Sequence, residues 1–271
     1  MKSAQLSYGN TDYELTGPEA GPLVVLLHGG SIPMWTWDRQ VPALVNAGFR
    51  VLRYDMYGKG KSACPVVEYD RNLFRGQLLD LLNALGLTEP VHLVGFSFGG
   101  ATAANFTAHY PEKVRTLALI SPVFHFADGN RIVRIARLPI LGNLFLHFVL
   151  MKRAVDRASR LWAGADNADH YADLFREQMS QPGFERALLS FLRSDALGDY
   201  SSVYEKLGLA GRKPLLVWGS NDEDIPASHI ARIRSLVPLA AYHELPNISH
   251  GAVFQASTAL NDLLLKHLGL A

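Results

Sequence analysis

The chain has 271 residues, 48% of them hydrophobic, and a formal net charge of +1 at pH 7. This charge balance gives no general attraction to nucleic acid, and no stretch combines basic and aromatic residues as a nucleic-acid site does, so no nucleic-acid partner is predicted. The single cysteine excludes an internal disulfide framework and fits a reducing compartment, which predicts a cytoplasmic protein.

Short apolar runs alternate with helical periods along most of the chain, a pattern typical of a mostly parallel sheet wrapped by helices. Eight strands are predicted, at residues 5–8, 13–16, 23–28, 49–55, 91–95, 114–121, 215–219 and 241–245. The first two alternate polar and apolar residues and predict an antiparallel edge. The later ones are mostly unbroken apolar runs, as expected of strands buried on both faces. Helical spacing predicts helices at residues 37–47, 69–85, 98–109, 228–236 and 253–268.

The alternation stops between residues 125 and 207, where only helix-like segments occur. We interpret this stretch as a helical cap inserted into a core formed by residues 1–124 and 208–271. Because the insertion follows the carboxyl end of a strand, where ligands bind in open α/β sheets, the cap would exclude water and shape a substrate pocket. Its most apolar window, residues 138–151, is too short to cross a bilayer, so no stable membrane insertion is predicted.

Residues 91–104 carry the strongest chemical signal, a strand that passes through Gly95, Ser97 and Gly99 into an alanine-rich helix. A serine on so sharp a strand-to-helix turn presents its hydroxyl to both a base and a substrate carbonyl. The two glycines avoid the crowding that a Cβ would cause beside a strained residue. Ser97 is therefore the predicted nucleophile, with a simple helix N-cap as the structural alternative.

Acyl transfer also needs a base and an acid that orients the base. Of the ten histidines, His250 is the predicted base, because it follows the last strand in a loop at the carboxyl edge of the sheet. The orienting acid is expected in the loop after the strand at 215–219. Asp222 and Asp224 both lie there, and both remain candidates at this point.

Backbone N–H groups are the predicted donors to a developing oxyanion. Phe98 follows the serine at the start of a helix, where the dipole favours negative charge. The second donor is expected in the loop His28-Gly29-Gly30-Ser31, because glycines let the backbone approach the substrate closely. Gly30 is the first candidate there and Ser31 the second.

The chain order serine, aspartate, histidine, together with the His-Gly-Gly loop and the Gly-Phe-Ser-Phe-Gly turn, resembles the α/β-hydrolase superfamily over essentially the whole sequence. The resemblance implies an α/β fold with an eight-stranded, mostly parallel sheet, flanking helices and an inserted helical cap. Gly219 and Asp222, with Pro226, are similar to the superfamily's G-x-x-D-x-x-x-P acid loop, which favours Asp222 over Asp224.

Two further segments bear on the same resemblance. Residues 55–62 resemble the superfamily's D-x-x-G-x-G-x-S turn, whose role there is structural. The glycines that usually precede the histidine are replaced here by Asn247 and Ser249, which puts the conformation of that loop in question more than the role of His250.

The resemblance implies hydrolysis through an acyl-enzyme on Ser97, without a metal or another cofactor. A serine at this turn argues against haloalkane dehalogenases and epoxide hydrolases, which use aspartate there. Amidases, lactonases, perhydrolases and meta-cleavage C–C bond hydrolases remain open, although the C–C hydrolases usually have methionine where this chain has Phe98. Carboxylester hydrolysis is the predicted activity. A small-molecule receptor with residual hydrolysis is the alternative from another class.

The apolar residues of the cap predict a small-molecule ester substrate with an apolar acyl or aromatic group. Candidates for the substrate pocket are Ser31 and Trp35, which follow the oxyanion loop, and Phe124 and Leu144 at and within the cap. Packing of the cap onto the core is the alternative role for the three apolar residues.

Overall fold

The computed structural model describes residues 1–127, 130–163, 165 and 167–269. Within them, one sheet contains the strands β1 (Lys2–Leu6), β2 (Gly9–Thr16), β3 (Leu23–Leu27), β4 (Arg50–Tyr54), β5 (Val91–Phe96), β6 (Val114–Ile120), β7 (Leu215–Gly219) and β8 (Ala241–Leu245). Their order is β1-β2-β4-β3-β5-β6-β7-β8. β2 pairs antiparallel with β1 and β4, and every other neighbouring pair is parallel. The predicted fold class and its antiparallel edge are confirmed.

Helices cover both faces of the sheet. The described α-helices are α1 (Val41–Asn46), α2 (Arg71–Ala84), α3 (Phe98–His109), α4 (Arg131–Ala136), α5 (Leu141–Phe145), α6 (Met151–Ser159), α7 (Ala168–Met179), α8 (Phe184–Arg193), α9 (Ser201–Leu209), α10 (Ala227–Leu236), α11 (Ala252–Gln255) and α12 (Ser257–Leu268). None of them is both long and apolar enough to cross a membrane.

The unbroken apolar strands follow from this two-sided cover. In β3, Val24 and Leu26 enter the core beneath α1 and α12, whereas Val25 and Leu27 enter the core beneath α2, α3, α9 and α10. Because successive side chains of a strand point to opposite faces, each of these residues must be apolar.

Two predicted helices differ from the observed ones. The prediction at 37–47 is divided into a 3-10 turn at Met34–Trp37 and the short helix α1, which has a proline in its first turn. The prediction at 253–268 is divided into α11 and α12 at Ala256, whose φ is −128°. Just before this break, the Gln255 side chain accepts hydrogen bonds from the backbone N–H and the hydroxyl of Ser249.

The helices α4 to α8 lie between β6 and α9, in the predicted insertion 125–207, of which residues 128, 129, 164 and 166 lie outside the described residues. Helix α9 crosses the predicted boundary at 207 and packs against α3 and α10. Its buried residues Val203, Tyr204 and Leu207 belong to the sheet core. We therefore propose that the cap ends before α9.

Candidate active site

Ser97 stands between β5 and α3 with a φ of +55°, in the left-handed region. Its N–H donates a hydrogen bond of 2.8 Å to the carbonyl of Ile120 in β6, which holds the turn against the sheet. A Cβ added at Gly95 would lie 2.3 Å from the carbonyl oxygen of Gly99, and one added at Gly99 would lie 2.3 Å from that of His28. The two glycines therefore allow the close helix–strand approach that keeps this strained serine in place.

Ser97, His250 and Asp222 form a continuous hydrogen-bonded chain. His250 Nε2 lies 2.9 Å from Ser97 Oγ, and His250 Nδ1 lies 2.8 Å from Asp222 Oδ2. The other Asp222 oxygen accepts the N–H groups of Asp224 and Ile225 at 3.0 and 2.9 Å. The buried carboxylate therefore holds an imidazole whose Nδ1 carries the proton, which leaves Nε2 free to accept the serine proton. Asp224 itself is exposed and has no hydrogen bond to this histidine among the described residues.

The environment of His250 sets the pH at which it can act as a base. Burial lowers its pKa, but the charge and hydrogen bond of Asp222 raise it more, with a smaller contribution from Asp224, so the net direction is upward. Protonation of His250 is therefore favoured relative to a free histidine.

We expect kcat/KM for a neutral, non-ionising substrate to fall as the pH is lowered, with a midpoint above 6.5, the ordinary histidine value. The reason is that only the neutral imidazole accepts the Ser97 proton, and Asp222 extends the pH range over which the imidazole is protonated. Initial rates measured across the acid range check this. A midpoint at or below 6.5 would show that the carboxylate does not act on the base as described.

The loop before His250 keeps its contacts with the acid loop, although it lacks the glycines usual in the superfamily. Asn247 takes a φ of +60°, a conformation that asparagine tolerates better than most residues, and its N–H donates to Ser220 Oγ at 2.8 Å. The carbonyl of Ile248 accepts the N–H of Asn221 at 2.9 Å. Both contacts tie the histidine loop to the acid loop, so the departure from the superfamily pattern does not separate His250 from Asp222.

The predicted oxyanion donors lie side by side. A Cβ added at Gly30 would lie 3.6 Å from the Cβ of Phe98, and neither N–H donates to another group of the described residues. The neighbouring His28 is fully buried; its Nδ1 lies 2.7 Å from the Gly29 carbonyl and its Nε2 accepts the Met56 N–H at 2.9 Å. Burial lowers the pKa of His28 to about 3, so it stays neutral and holds the Gly29–Gly30 backbone in place.

Two adjoining cavities open onto this site. One of about 130 Å³ is lined by Ser97, Phe98 and His250, and one of about 500 Å³ extends from Gly30 and His250 under the cap. Ser31, one of the proposed pocket residues, lies in the walls of both. The larger volume is in the usual range for a small-molecule site.

Three predicted pocket residues lie elsewhere. Trp35 stacks on Tyr171 at 5.2 Å between ring centroids and packs the cap against the core. Phe124 is buried against Tyr204, and Leu144 is 49% exposed. None of the three lines either cavity. Apolar character alone does not say which way a side chain points, and the packing alternative applies to Trp35 and Phe124.

The cavity walls contain residues that sequence analysis did not single out. Phe184, Leu188, Phe191 and Leu192 of the cap helix α8 face them, and so does Lys59 from the core. Lys59 belongs to the turn that was interpreted as purely structural. The available signal was a lysine between the two glycines of a turn that directly follows a buried strand. Among the described residues, no three His, Cys, Asp or Glu side chains are grouped so that they could hold a metal ion.

Known proteins resemble this chain over nearly its full length. Residues 22–257 match the family described as alpha/beta hydrolase fold. A 2-hydroxy-6-oxononadienedioate/2-hydroxy-6-oxononatrienedioate hydrolase of Comamonas testosteroni is 29% identical over 92% of this chain and 88% of its own. A 2-hydroxy-6-oxo-6-phenylhexa-2,4-dienoate hydrolase of the same organism gives the same three figures. The enol-lactonase of Burkholderia xenovorans LB400 has a TM-score of 0.83 and 21% identity, covering 98% of this chain and 99% of its own.

Proposed function

This chain belongs to the α/β-hydrolase fold family, and from that premise we propose that it is a serine hydrolase that cleaves a C–C bond beside a ketone in 2-hydroxy-6-oxo-dienoate compounds. The observation that carries hydrolysis is the hydrogen-bonded chain from Asp222 through His250 to Ser97, next to two backbone N–H groups that donate to none of the described residues. The choice of a C–C bond is supported by the two curated relatives, whose names specify such substrates.

The geometry is compatible with that reaction. Ser97 Oγ attacks the ketone carbon while His250 takes the hydroxyl proton, and the N–H groups of Gly30 and Phe98 stabilise the resulting oxyanion. The step uses the keto tautomer of the substrate, in which the proton of the 2-hydroxyl group has moved to C5 and C2 is a ketone. When the intermediate collapses, the C5–C6 bond breaks, its electron pair enters the dienolate conjugated with the C2 carbonyl, and His250 returns its proton to that dienolate. Water, activated by His250, then releases the carboxylic acid from Ser97.

Phe98, where C–C hydrolases usually have methionine, does not oppose this proposal. Its ring is buried and packs against Phe74 and Phe191, with centroids 4.9 and 4.8 Å away. The group used in the reaction is its backbone N–H, which every residue except proline has. The substitution therefore changes the wall of the smaller cavity and leaves the donor in place.

The carboxylesterase predicted from sequence is the alternative that an assay must separate, because the same three side chains would hydrolyse an ester. We expect the purified chain to turn over 2-hydroxy-6-oxohexa-2,4-dienoates with a 6-phenyl or 6-alkyl group. The loss of the substrate's dienolate absorbance measures this turnover. Since a pocket selects through a few well-placed contacts, kcat/KM should exceed that for p-nitrophenyl esters of similar size by about 10²-fold.

A higher kcat/KM for the p-nitrophenyl esters than for the dienoates would favour carboxylester hydrolysis. Cleavage of either class for only a few cycles per molecule would instead favour a receptor with residual hydrolysis. Product analysis by mass spectrometry provides the control, because C–C hydrolysis adds one water and yields a carboxylic acid and an enol or ketone of defined mass.

A further inference from the structure

A buried cation lines the larger cavity. Lys59 lies in the turn after β4, is only 3% exposed and forms part of the cavity wall. Its Nζ lies 5.0 Å from the centroid of the Phe191 ring and 5.8 Å from that of Phe184. No described residue offers this ammonium group a hydrogen bond or an ion pair. The cavity therefore contains a cation that has lost most of its water and whose described neighbours include two aromatic faces and the Cys64 thiol, but no anion or hydrogen-bond partner.

A buried ammonium group without a counter-ion lowers the stability of the folded protein. An ammonium group taken out of water without a counter-ion is strongly destabilised, and contacts with aromatic faces recover only part of the loss. Burial lowers the pKa of Lys59 to about 8, so the group is still largely protonated at neutral pH. An anion that enters the cavity would provide the missing partner in a place where a charge pair is strong.

The turn that carries Lys59 is held between core and cap. Asp55 accepts the N–H of Lys61 at 2.9 Å, and Gln178 of α7 accepts the N–H of Gly60 at 3.1 Å. A Cβ at Gly58 would lie 2.8 Å from the Cβ of Ala187 in α8, so the turn and the cap helix are in close contact. Because this turn is fixed and the Lys59 side chain is enclosed, binding a ligand orders it at a smaller cost in conformational freedom than an exposed lysine would incur.

One aromatic ring links Lys59 to the reacting centre. Phe191 contacts the Lys59 ammonium group and also packs on Phe98. The same ring lies close to the oxyanion loop, because a Cβ added at Gly30 would be 3.2 Å from it. A ligand that places its carbonyl between the N–H groups of Gly30 and Phe98 would have Lys59 within reach of a group a few bonds further along its chain.

We propose that Lys59 binds the carboxylate of the substrate and so selects acidic over neutral compounds, an inference that rests on the proposed hydrolase function of the same site. Two other cations line the cavity, Arg157 and Arg160, but both are exposed. They keep their hydration and gain less from an incoming anion. Lys59 is therefore the specificity residue, and the carboxylate is the group that it recognises.

The test compares two p-nitrophenyl esters of equal length, p-nitrophenyl hydrogen glutarate and its methyl ester, which differ only in the distal carboxylate. We expect Lys59→Met to lower kcat/KM for the acid by about 10- to 100-fold, mainly through KM, because a charged partner is lost from a desolvated site. The methyl ester should change by no more than about twofold, because it makes no ionic contact with Lys59.

Lys61→Met is the matched control. Lys61 lies two residues further on, is half-exposed, pairs with Glu177 at 3.2 Å and does not line this cavity, so its loss should leave both esters unaffected. A purely structural role for Lys59 would reduce the two esters equally, and that result would overturn the proposal. Equal rates of the acid and the methyl ester with the unmodified protein would overturn it as well.

A binding measurement keeps this result separate from the proposed function. Calorimetric titration of the Ser97→Ala protein with monomethyl glutarate and with dimethyl glutarate needs no turnover. We expect the monoanion to bind more tightly, and Lys59→Met to abolish that difference. If binding behaves so while no substrate is cleaved, the proposed function is wrong and the carboxylate site stands. If the two ligands bind alike, the carboxylate site is wrong.

Discussion

Replacement of Ser97 by alanine is expected to lower kcat by about 10⁴- to 10⁶-fold, because triad members act as a unit and loss of the nucleophile leaves only binding and oxyanion stabilisation. The hydroxyl has one described partner, His250 Nε2 at 2.9 Å, so its removal leaves no other hydrogen bond broken. Alanine carries the same Cβ as serine, so it can adopt the strained φ of +55° as serine does. We therefore expect the fold to remain intact. Steady-state rates check the loss of activity, and a thermal unfolding curve on the same preparation checks the fold.

Ser121 is a matched control because it resembles Ser97 in its position after a strand and in its positive φ. It follows the neighbouring strand β6, is fully buried and has a φ of +42°, and its Oγ has no hydrogen-bond partner in the part of the chain that the structure describes. Ser121→Ala should keep wild-type activity, because Ser121 lines neither cavity and makes no hydrogen bond with His250 among the described residues. If Ser97→Ala retains more than a trace of activity, or if Ser121→Ala loses as much as Ser97→Ala, the nucleophile has been wrongly assigned.

Asp222→Asn is expected to lower kcat by about 10⁴-fold, since an amide in this place favours the wrong imidazole tautomer. Asparagine can still accept the N–H groups of Asp224 and Ile225 with its oxygen, so the acid loop should keep its shape. Its NH₂ group would then face His250 Nδ1, where the carboxylate now accepts a hydrogen bond. Without the negative charge that raises the pKa of His250, the acid limb of any residual activity should move to lower pH.

Asp224→Asn is the control that separates the two carboxylates. Asp224 lies in the same loop and lines both cavities, but its effect on His250 is through charge at a distance. We expect a change of less than about tenfold in kcat, because exposed charges act weakly on their neighbours. Equal losses in the two variants would mean that the hydrogen bond from Asp222 has no special part in catalysis.

Local signals in the chain predicted those features that depend on a few adjacent residues. Most of the strands from β3 onward were predicted because a short apolar run without alternation is typical of a strand buried on both faces of a sheet. The turn at Ser97 was predicted because glycine is needed on both sides of a residue that the backbone holds under strain. Each of these demands is met within about ten residues of sequence.

The walls of the pocket were predicted less well, for a reason that Trp35 illustrates. The residue is aromatic and follows the oxyanion loop, yet its ring packs against Tyr171, which lies far along the chain in a cap helix. Leu144 was taken for a pocket residue, but much of its side chain is exposed. Side-chain direction depends on helices whose relative placement is not encoded in any short stretch.

The amino-acid sequence by itself determined the chain order of the strands and helices and the sharp turn at Ser97, because backbone preferences and hydrophobic periodicity act locally. The position of His250 after the last strand made it the candidate base. The family resemblance already favoured Asp222 over Asp224, and the tertiary structure shows Asp222 hydrogen-bonded to the imidazole. Only the tertiary structure revealed that Lys59 is enclosed, with no counter-ion among the described residues. Both outcomes depend on burial and on contacts between segments far apart in the chain. Desolvation, which governs the strength of charges, exists only after those segments have packed.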